Sequence, residues 1–397
     1  MGSLKRNNNE IHIDHEALST LAMVKEGILS PVDKLMNRKE AEEVDRTSLY
    51  KGRFFPFSFI LAPSGKRNEK VLLDARKGDR LYLVVDGQNL GVITVDEVFE
   101  IDREARVRKI FGTTDPDHPG VEETFKRLGH YAVSGEFKVD CTTVRNVKNA
   151  IHTMIERTKA KNVSAIMISG KPLHRGHERF IRMTLERSDL LVLFLLKPYK
   201  KDTYSYELRH KVLKYFVDNF LPTNRVLIVP FENTYIFAGY NNLILDAIAA
   251  QNFGCNTLAV GQNHAGIGLY YEKSGTKTFL DHFEDLEIDI EISNEFVYCN
   301  VCRTLVSTRT CPHGSHHHIS YNSEFILELL NAGVIPPAVL VRKEISAILL
   351  SQLYPRRFRK IIQKYNNFFP SEGLLEEMTE EKFYLEIMKL HQTASLT

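Results

Sequence analysis

Between residues 163 and 260 four short, continuously apolar runs alternate with helix-length amphipathic segments. This rhythm constrains the fold more than any other feature. The runs 163–168, 190–196, 225–229 and 256–260 read as strands, and the residues after 168 to about 188, then 206–220 and 241–251, read as the helices between them. A strand without a polar face must be covered on both sides. Strands of this kind separated by helices predict a parallel α/β sheet, and such sheets bind ligands at the carboxyl ends of their strands. The longest apolar run, 190–196, is strand-sized and far short of the eighteen or so residues of a membrane span. No membrane association is expected.

The rest of the chain reads differently. Residues 54–137 carry short apolar runs at 57–61, 81–85 and 90–98, separated by the turn signals Pro63-Ser64-Gly65 and Asp86-Gly87-Gln88. That is a β-rich pattern. One helix is expected near 17–25, and a turn-rich loop at 112–120 leads into another short helix. Helices are expected near 323–331, 342–353 and 380–390, with a further one carrying the basic run 356–360, read as a solvated face. A length of 397 residues fits two or three domains. With 52 basic against 50 acidic residues, binding of nucleic acid by bulk charge is not expected. The first residues are basic with no apolar segment behind them, and Arg6 stands where a myristoylation site needs Ser or Thr. A cytoplasmic address is expected.

Histidine is the unusual residue, with 15 in the chain, several of them clustered. The strand 163–168 ends in Ser169-Gly170-Lys171-Pro172-Leu173, and His174-Arg175-Gly176-His177 then opens a helix. A helix N-terminus offers unpaired N–H groups and positive partial charge to phosphate oxygens. Two imidazoles three residues apart share a face of its first turn. They can donate to a polyphosphate and stabilise charge growing on a pyrophosphate leaving group. Gly176 is expected to let the backbone approach a ligand closely. The alternative reading is that both histidines cap the helix.

The second cluster is Cys299-Asn300-Val301-Cys302 followed by Cys311-Pro312-His313-Gly314-Ser315-His316-His317-His318. Three cysteines and a histidine supply the four ligands of a tetrahedral, structural Zn²⁺ site. Cys299, Cys302, Cys311 and His316 are the expected set, with His313 and His318 as alternatives to His316. Glu178 and Asp202 have no partner at a telling spacing, so no acid/base pair is assigned. No Gly-x-x-x-x-Gly-Lys-Ser/Thr phosphate loop is present.

His-x-Gly-His after the first strand of such a sheet resembles the nucleotidyltransferase superfamily, and Lys171-Pro172-Leu173-His174-Arg175-Gly176-His177-Glu178 resembles the ATP sulfurylases in particular. Segments 111–121, 261–266 and 332–337 are similar to the same family, in family order, and the likeness runs from about 54 to 350. The resemblance implies a PUA-like β-rich domain at 1–145, then a Rossmann-like nucleotidyltransferase domain at 146–320 with a zinc module at 296–318, and a helical region at 321–397. It implies ATP as substrate with Mg²⁺ on its phosphates, a small acceptor such as sulfate, and pyrophosphate as product. His174, His177 and Lys171 are the expected catalytic residues. Gly170, His174, His177, Gly261 and His264 are the expected nucleotide contacts. A homodimer is the expected assembly. The other reading is a relative without catalysis that senses nucleotide or acts as a scaffold.

The departures from the family pattern fall on its anion-binding motifs. Where the family has Gln-x-Arg-Asn this chain has Ile168, Gly170 and Lys171; Gly-Arg-Asp-His becomes Gly261-Gln262-Asn263-His264. Ala-Gly-Pro-Arg-Glu becomes Ala238-Gly239-Tyr240-Asn241-Asn242, and Ser-Gly-Thr-x-x-Arg becomes Asn322-Ser323-Glu324-Phe325-Ile326-Leu327. A hydrogen bond to a charged group contributes roughly 1.5–3 kcal/mol, so the acceptor half of the site is expected to differ from its relatives. Lys171 is the partial replacement, a point charge without arginine's fork. Lys197, Lys200 and Lys201 follow the next strand and are weaker candidates for the same cleft.

Overall fold

The computed structural model describes residues 9–197, 204–232, 240–261, 286–368 and 376–391. The chain divides into two compact units, Met1–Ala165 with Glu232–Glu291, and Ile166–Phe231 with Ile292–Thr397.

The first unit is built on a five-stranded sheet in the order Glu10–His12, Arg80–Val85, Gln88–Glu100, Leu128–Val139, Leu61–Pro63. Arg80–Val85 and Gln88–Glu100 form a hairpin whose turn residues, Asp86 and Gly87, both take positive φ (49° and 79°). Such primed turns match the twist of the strands they join. Gly135, at φ 150°, sits where the pairing of the two long strands shifts register between Val95 and Glu97, and a Cβ there would stand 2.0 Å from the Thr94 carbonyl.

The apolar run 57–61 is not a strand; only Leu61–Pro63 pairs. Phe55, Phe57 and Phe59 are buried, and this backbone is held by irregular contacts: Phe55 donates its N–H to the Ser48 carbonyl and the Phe59 carbonyl accepts from the Met36 N–H, each at 2.9 Å. Ser58 donates its N–H and Oγ to Asp45 (2.7 and 3.0 Å), and Arg106 donates to the Ser58 carbonyl at 3.1 Å. Buried backbone groups satisfied in this way need no ladder. The expected helix near 17–25 is His15–Lys25, N-capped by Asp14, and the 112–120 loop leads into Pro119–Arg127, capped by His118. Helices Arg38–Thr47, Lys66–Asp74 and Arg103–Phe111 are not among the elements expected from the sequence.

The α/β sheet has the order Val226–Glu232, Leu190–Lys197, Val163–Ile168, Thr257–Val260, Asp289–Ile292. Helix Arg175–Glu186 joins Val163–Ile168 to its neighbour Leu190–Lys197, and Tyr206–Phe220 joins that strand to Val226–Glu232. A helical crossover between neighbouring strands is the connection that parallel pairing requires. Every residue of Val163–Ile168 is buried, and Leu190 to Leu195 are at most 1% exposed, as a sheet covered on both faces demands.

In the second unit the Cys/His segment forms its own small sheet, Thr304–Ser307, Phe296–Cys299, His318–Ser320. The C-terminal helices are Ser323–Asn331, Lys343–Leu353, Arg357–Phe368 and Glu380–His391. Tyr384 and Met388 of the last are buried, and Glu380 accepts from the Phe358 N–H at 3.0 Å. No helix among the described residues is long and apolar enough to cross a membrane.

Candidate active site

The strand Val163–Ile168 hands over to helix Arg175–Glu186 through a loop in which Gly170 takes φ 60° and Lys171–Pro172 is a cis peptide. His174 is the N-cap. Its Nδ1 accepts from the His177 N–H at 3.3 Å, and the His177 Nδ1 accepts from the His174 N–H at 3.3 Å. The helix therefore starts with a reciprocal capping box made by two histidines. The capping and phosphate-facing readings of this pair are compatible, because capping consumes only Nδ1 of each ring. A neutral imidazole that accepts at Nδ1 carries its proton on Nε2. The Nε2–H of His174 reaches Ser323 Oγ at 3.1 Å, and that of His177 remains as a donor at the helix N-terminus.

Both rings are kept neutral. Burial pushes the His177 imidazole down to about 4, and burial together with the neighbouring His177 holds His174 well below the ordinary histidine range. The rings stack at 3.7 Å, and Tyr321 stacks on the other side of His174 at 5.5 Å, its hydroxyl donating to the Val339 carbonyl at 3.0 Å. Gly176 makes room for this stack. A Cβ on it would stand 3.1 Å from the His174 ring and 3.2 Å from Tyr321 Cγ. Gly176→Ala favours the helix by about 0.5–1 kcal/mol in isolation. Displacing the imidazoles is nonetheless expected to lower turnover by roughly tenfold or more, read by steady-state kinetics beside a melting curve.

Arg209 is the residue that sequence reasoning missed. It is 2% exposed, and its Nη1 donates to the carbonyls of Ser169 at 2.6 Å and Leu196 at 2.9 Å, tying together the carboxyl ends of two strands. The signal was present: within Tyr206–Phe220 an arginine stands on the same face as the buried Val212, Phe216 and Val217. Arg209→Met leaves two strand-end carbonyls without their donor, at about 1–3 kcal/mol for each. A clear drop in melting temperature is the expected outcome.

Glu178, left unassigned by its spacing, is 4% exposed and paired. Arg175 Nη1 lies 3.2 Å from its carboxylate and Arg342 Nε 2.9 Å, and the Arg342 guanidinium also stacks over Phe220 at 3.7 Å. This network fixes the helix carrying the histidines and is structural. Lys171 is half-buried on the loop, and Lys197 is exposed at the end of its strand. Lys200, Lys201 and Asp202 lie outside the described residues.

In the second cluster Cys299, Cys302, Cys311 and His313 bring one ligand atom each within 4.8 Å of one another. His313 Nδ1 stands 3.5, 3.3 and 3.6 Å from the three sulfurs, and Cys302 and Cys311 sulfurs are 3.9 Å apart. A tetrahedron with Zn–S bonds near 2.3 Å has sulfur–sulfur edges of about 3.8 Å, so these four residues fit zinc. The histidine that the structure brings to the three cysteines is His313 and not the expected His316. His316 falls in the short turn Ser315–His317 that leads into the third strand, and its ring lies on His317 at 4.0 Å. His318 Nε2 sits 3.3 Å from Cys311 Sγ, where it can donate to a metal-bound thiolate.

The ATP-sulfurylase family matches residues 142–352, more than half of the chain, and a PUA-like domain family matches residues 3–140. The chain belongs to the ATP-sulfurylase family. It is 27% identical over 362 residues to a sulfate adenylyltransferase of Psychrobacter sp. (strain PRwf-1), covering 87% of this chain and 85% of that one. The sulfate adenylyltransferase of Chloroflexus aurantiacus is 29% identical over 352 residues, 85% of this chain and 90% of that one. Among solved structures, a hexameric APS kinase from Thiobacillus denitrificans superposes with a TM-score of 0.65 at 18% identity, over 87% of this chain and 63% of that one, a likeness of fold. This member of the family is thus a nucleotidyltransferase with a PUA-like N-terminal domain and an α/β nucleotide-binding domain.

Several of the positions that depart from the ATP-sulfurylase pattern have other employment. Ile168 is core, 4% exposed. Asn241 donates its Nδ2 to the Ile110 carbonyl at 2.6 Å, closing the end of helix Arg103–Phe111. Asn322 caps Ser323–Asn331, accepting from the N–H groups of Glu324 and Phe325 at 2.9 and 3.1 Å, and so starts the helix whose Ser323 meets His174. Gly261 follows the strand Thr257–Val260 in the first unit, with open space where a Cβ would stand. Ala238, Gly239, Gln262, Asn263 and His264 lie outside the described residues.

Proposed function

We propose that this protein transfers the adenylyl group of ATP to a small oxyanion, sulfate first among them, and releases pyrophosphate. The observation that carries the reading is the capped N-terminus of Arg175–Glu186, where the cap uses His177 Nδ1 and leaves Nε2–H as a neutral donor. The oxyanion's oxygen bonds to the α-phosphorus, the bond to the bridging oxygen breaks, and pyrophosphate leaves with that electron pair. An ionised oxyanion gives up no proton, so this chemistry needs no acid/base pair. His177 donates to the phosphate oxygens as charge builds on them, and His174, held by Ser323 and Tyr321, positions His177 and completes the cap. Lys171 supplies point charge and Gly170 gives the loop its left-handed turn; Gly261 and His264 are the nucleotide contacts that the family resemblance implies.

Mg²⁺ travels on the nucleotide's phosphates and neutralises part of their charge. Zn²⁺ on Cys299, Cys302, Cys311 and His313 is structural, since the four side chains complete a tetrahedron. The proposed domains are 1–145, 146–320 and 321–397; the family matches at 3–140 and 142–352 support the first boundary, and the two compact units divide the chain differently.

The test is ATP-dependent pyrophosphate release with sulfate, selenate, molybdate and phosphate as acceptors. Turnover that requires one of these oxyanions is expected. With the family's arginines replaced, half-saturation by sulfate is expected at higher concentration than for the Chloroflexus aurantiacus relative assayed alongside. No acceptor-dependent release from any of them overturns the reading. A scaffold without catalysis is not favoured, because the ATP-sulfurylase match covers more than half of the chain and the sulfate adenylyltransferase relatives span most of it.

A further inference from the structure

The first unit contains a cavity of about 220 Å³. Its inner wall is apolar, formed by Leu21, Leu35, Phe59, Leu61, Ile110 and Phe111, none more than 7% exposed. A dry cavity of about 150 Å³ takes a benzene ring, so this one has room for a ring with a short arm. Polar groups converge on one side. Arg127 donates Nε and Nη2 to Asp14 at 2.7 and 3.0 Å and Nη1 to Glu16 Oε2 at 2.6 Å. Glu16 is 5% exposed, and among the described residues no hydrogen bond reaches its Oε1.

The polar groups around the cavity limit what an occupant can pair with. Asp14, Glu16 and Glu123 line it against Arg106 and Arg127. Both guanidiniums are engaged, Arg127 as above and Arg106 on Ser58 Oγ at 2.8 Å and the Ser58 carbonyl at 3.1 Å. An anion would find no uncommitted guanidinium to pair with. A carboxyl oxygen on a largely buried residue that has no protein partner is a place where a ligand's N–H can bond.

We propose that this cavity binds a small organic ammonium, a primary amine on an aromatic or branched hydrocarbon body, with its N–H groups on Glu16. Burial outweighs the pull of Arg127, already held by Asp14, and pushes the Glu16 carboxyl up to about 8; Asp14 and Glu123 act in the same direction. His12 is the other titratable group on the wall. Near neutrality Glu16 therefore holds its proton until a cation arrives. Binding an ammonium ionises the carboxyl and sends that proton to solvent, whereas an alcohol of the same shape leaves it in place.

Calorimetric titration of the full-length protein at pH 7 with 2-phenylethylamine, 2-phenylethanol and 3-phenylpropionate, in two buffers of different ionisation enthalpy, reads these differences. The amine is expected to bind at least tenfold tighter than the alcohol and to release most of one proton, and the carboxylate to bind weakest. Glu16→Gln should bring the amine down to the alcohol's affinity and abolish proton release. Ala17→Phe, which puts a ring into the cavity, should abolish binding of all three with the melting curve unchanged, and it decides the matter if Glu16→Gln fails to fold. Equal affinities for amine and alcohol, tightest binding of the carboxylate, no saturable binding of the amine, or an amine preference that survives Glu16→Gln overturns the proposal.

Discussion

His177→Asn is expected to lower turnover by roughly 10²–10³-fold, the usual cost of removing one donor from a site of developing negative charge. The melting temperature should change little, because the asparagine amide oxygen can still accept from the His174 N–H and keep the capping box. His177→Ala loses both functions, so about 1 kcal/mol of stability should go with the turnover. The pair separates donation to substrate from capping, which a single alanine variant cannot do. Turnover of His177→Asn near that of the parent would remove His177 from the chemistry.

Protonation gives an independent check. Both histidines have folded-state affinities for protons below the unfolded value near 6.5, because burial disfavours the imidazolium. As pH falls the unfolded chain takes up these protons first, so their contribution is complete above about pH 6.5 and is lost progressively down to about 4, where His177 titrates. Nitrogen NMR should show both rings as Nε2-protonated tautomers in the free protein at neutral pH. A ring titrating near 6.5 would contradict the buried stack.

Chelation of the metal, or Cys302→Ser, is the second large effect. A zinc site of this composition binds with roughly 10–16 kcal/mol in small zinc modules, and that energy is folding energy. The parent should carry about one zinc per chain, and Cys302→Ser should lose it together with the order of the small sheet Thr304–Ser307, Phe296–Cys299, His318–Ser320. His313→Ala should behave in the same way, whereas His316→Ala should keep its zinc. Metal analysis beside a melting curve decides between the two histidines, and retention of zinc by His313→Ala would reverse the assignment.

How much of the candidate site was legible follows from which interactions are local. The capping box spans residues 174 to 177, and its elements, an apolar strand, a glycine turn and a helix with histidines at its first turn, are adjacent in the chain. Local order of this kind is written in the sequence. Three cysteines within a short segment announced a metal module for the same reason. His313 against His316 was not legible, because three residues of loop can present either ring, and the choice depends on where the turn Ser315–His317 enters the third strand.

Sequence alone determined the α/β rhythm, the family pattern and the departures from it, since hydrophobic period and short-range spacing carry them. Tertiary structure decided the rest. It placed Tyr321 and Ser323 on His174, brought Arg209 beneath the strand ends, and put Asn241 on a helix terminus where the family pattern has arginine. It also made strand unnecessary at 57–60, where Asp45 and Arg106 satisfy the backbone. These contacts join residues from 13 to about 150 positions apart. Their partners are chosen by packing, and no local period in the chain records that choice.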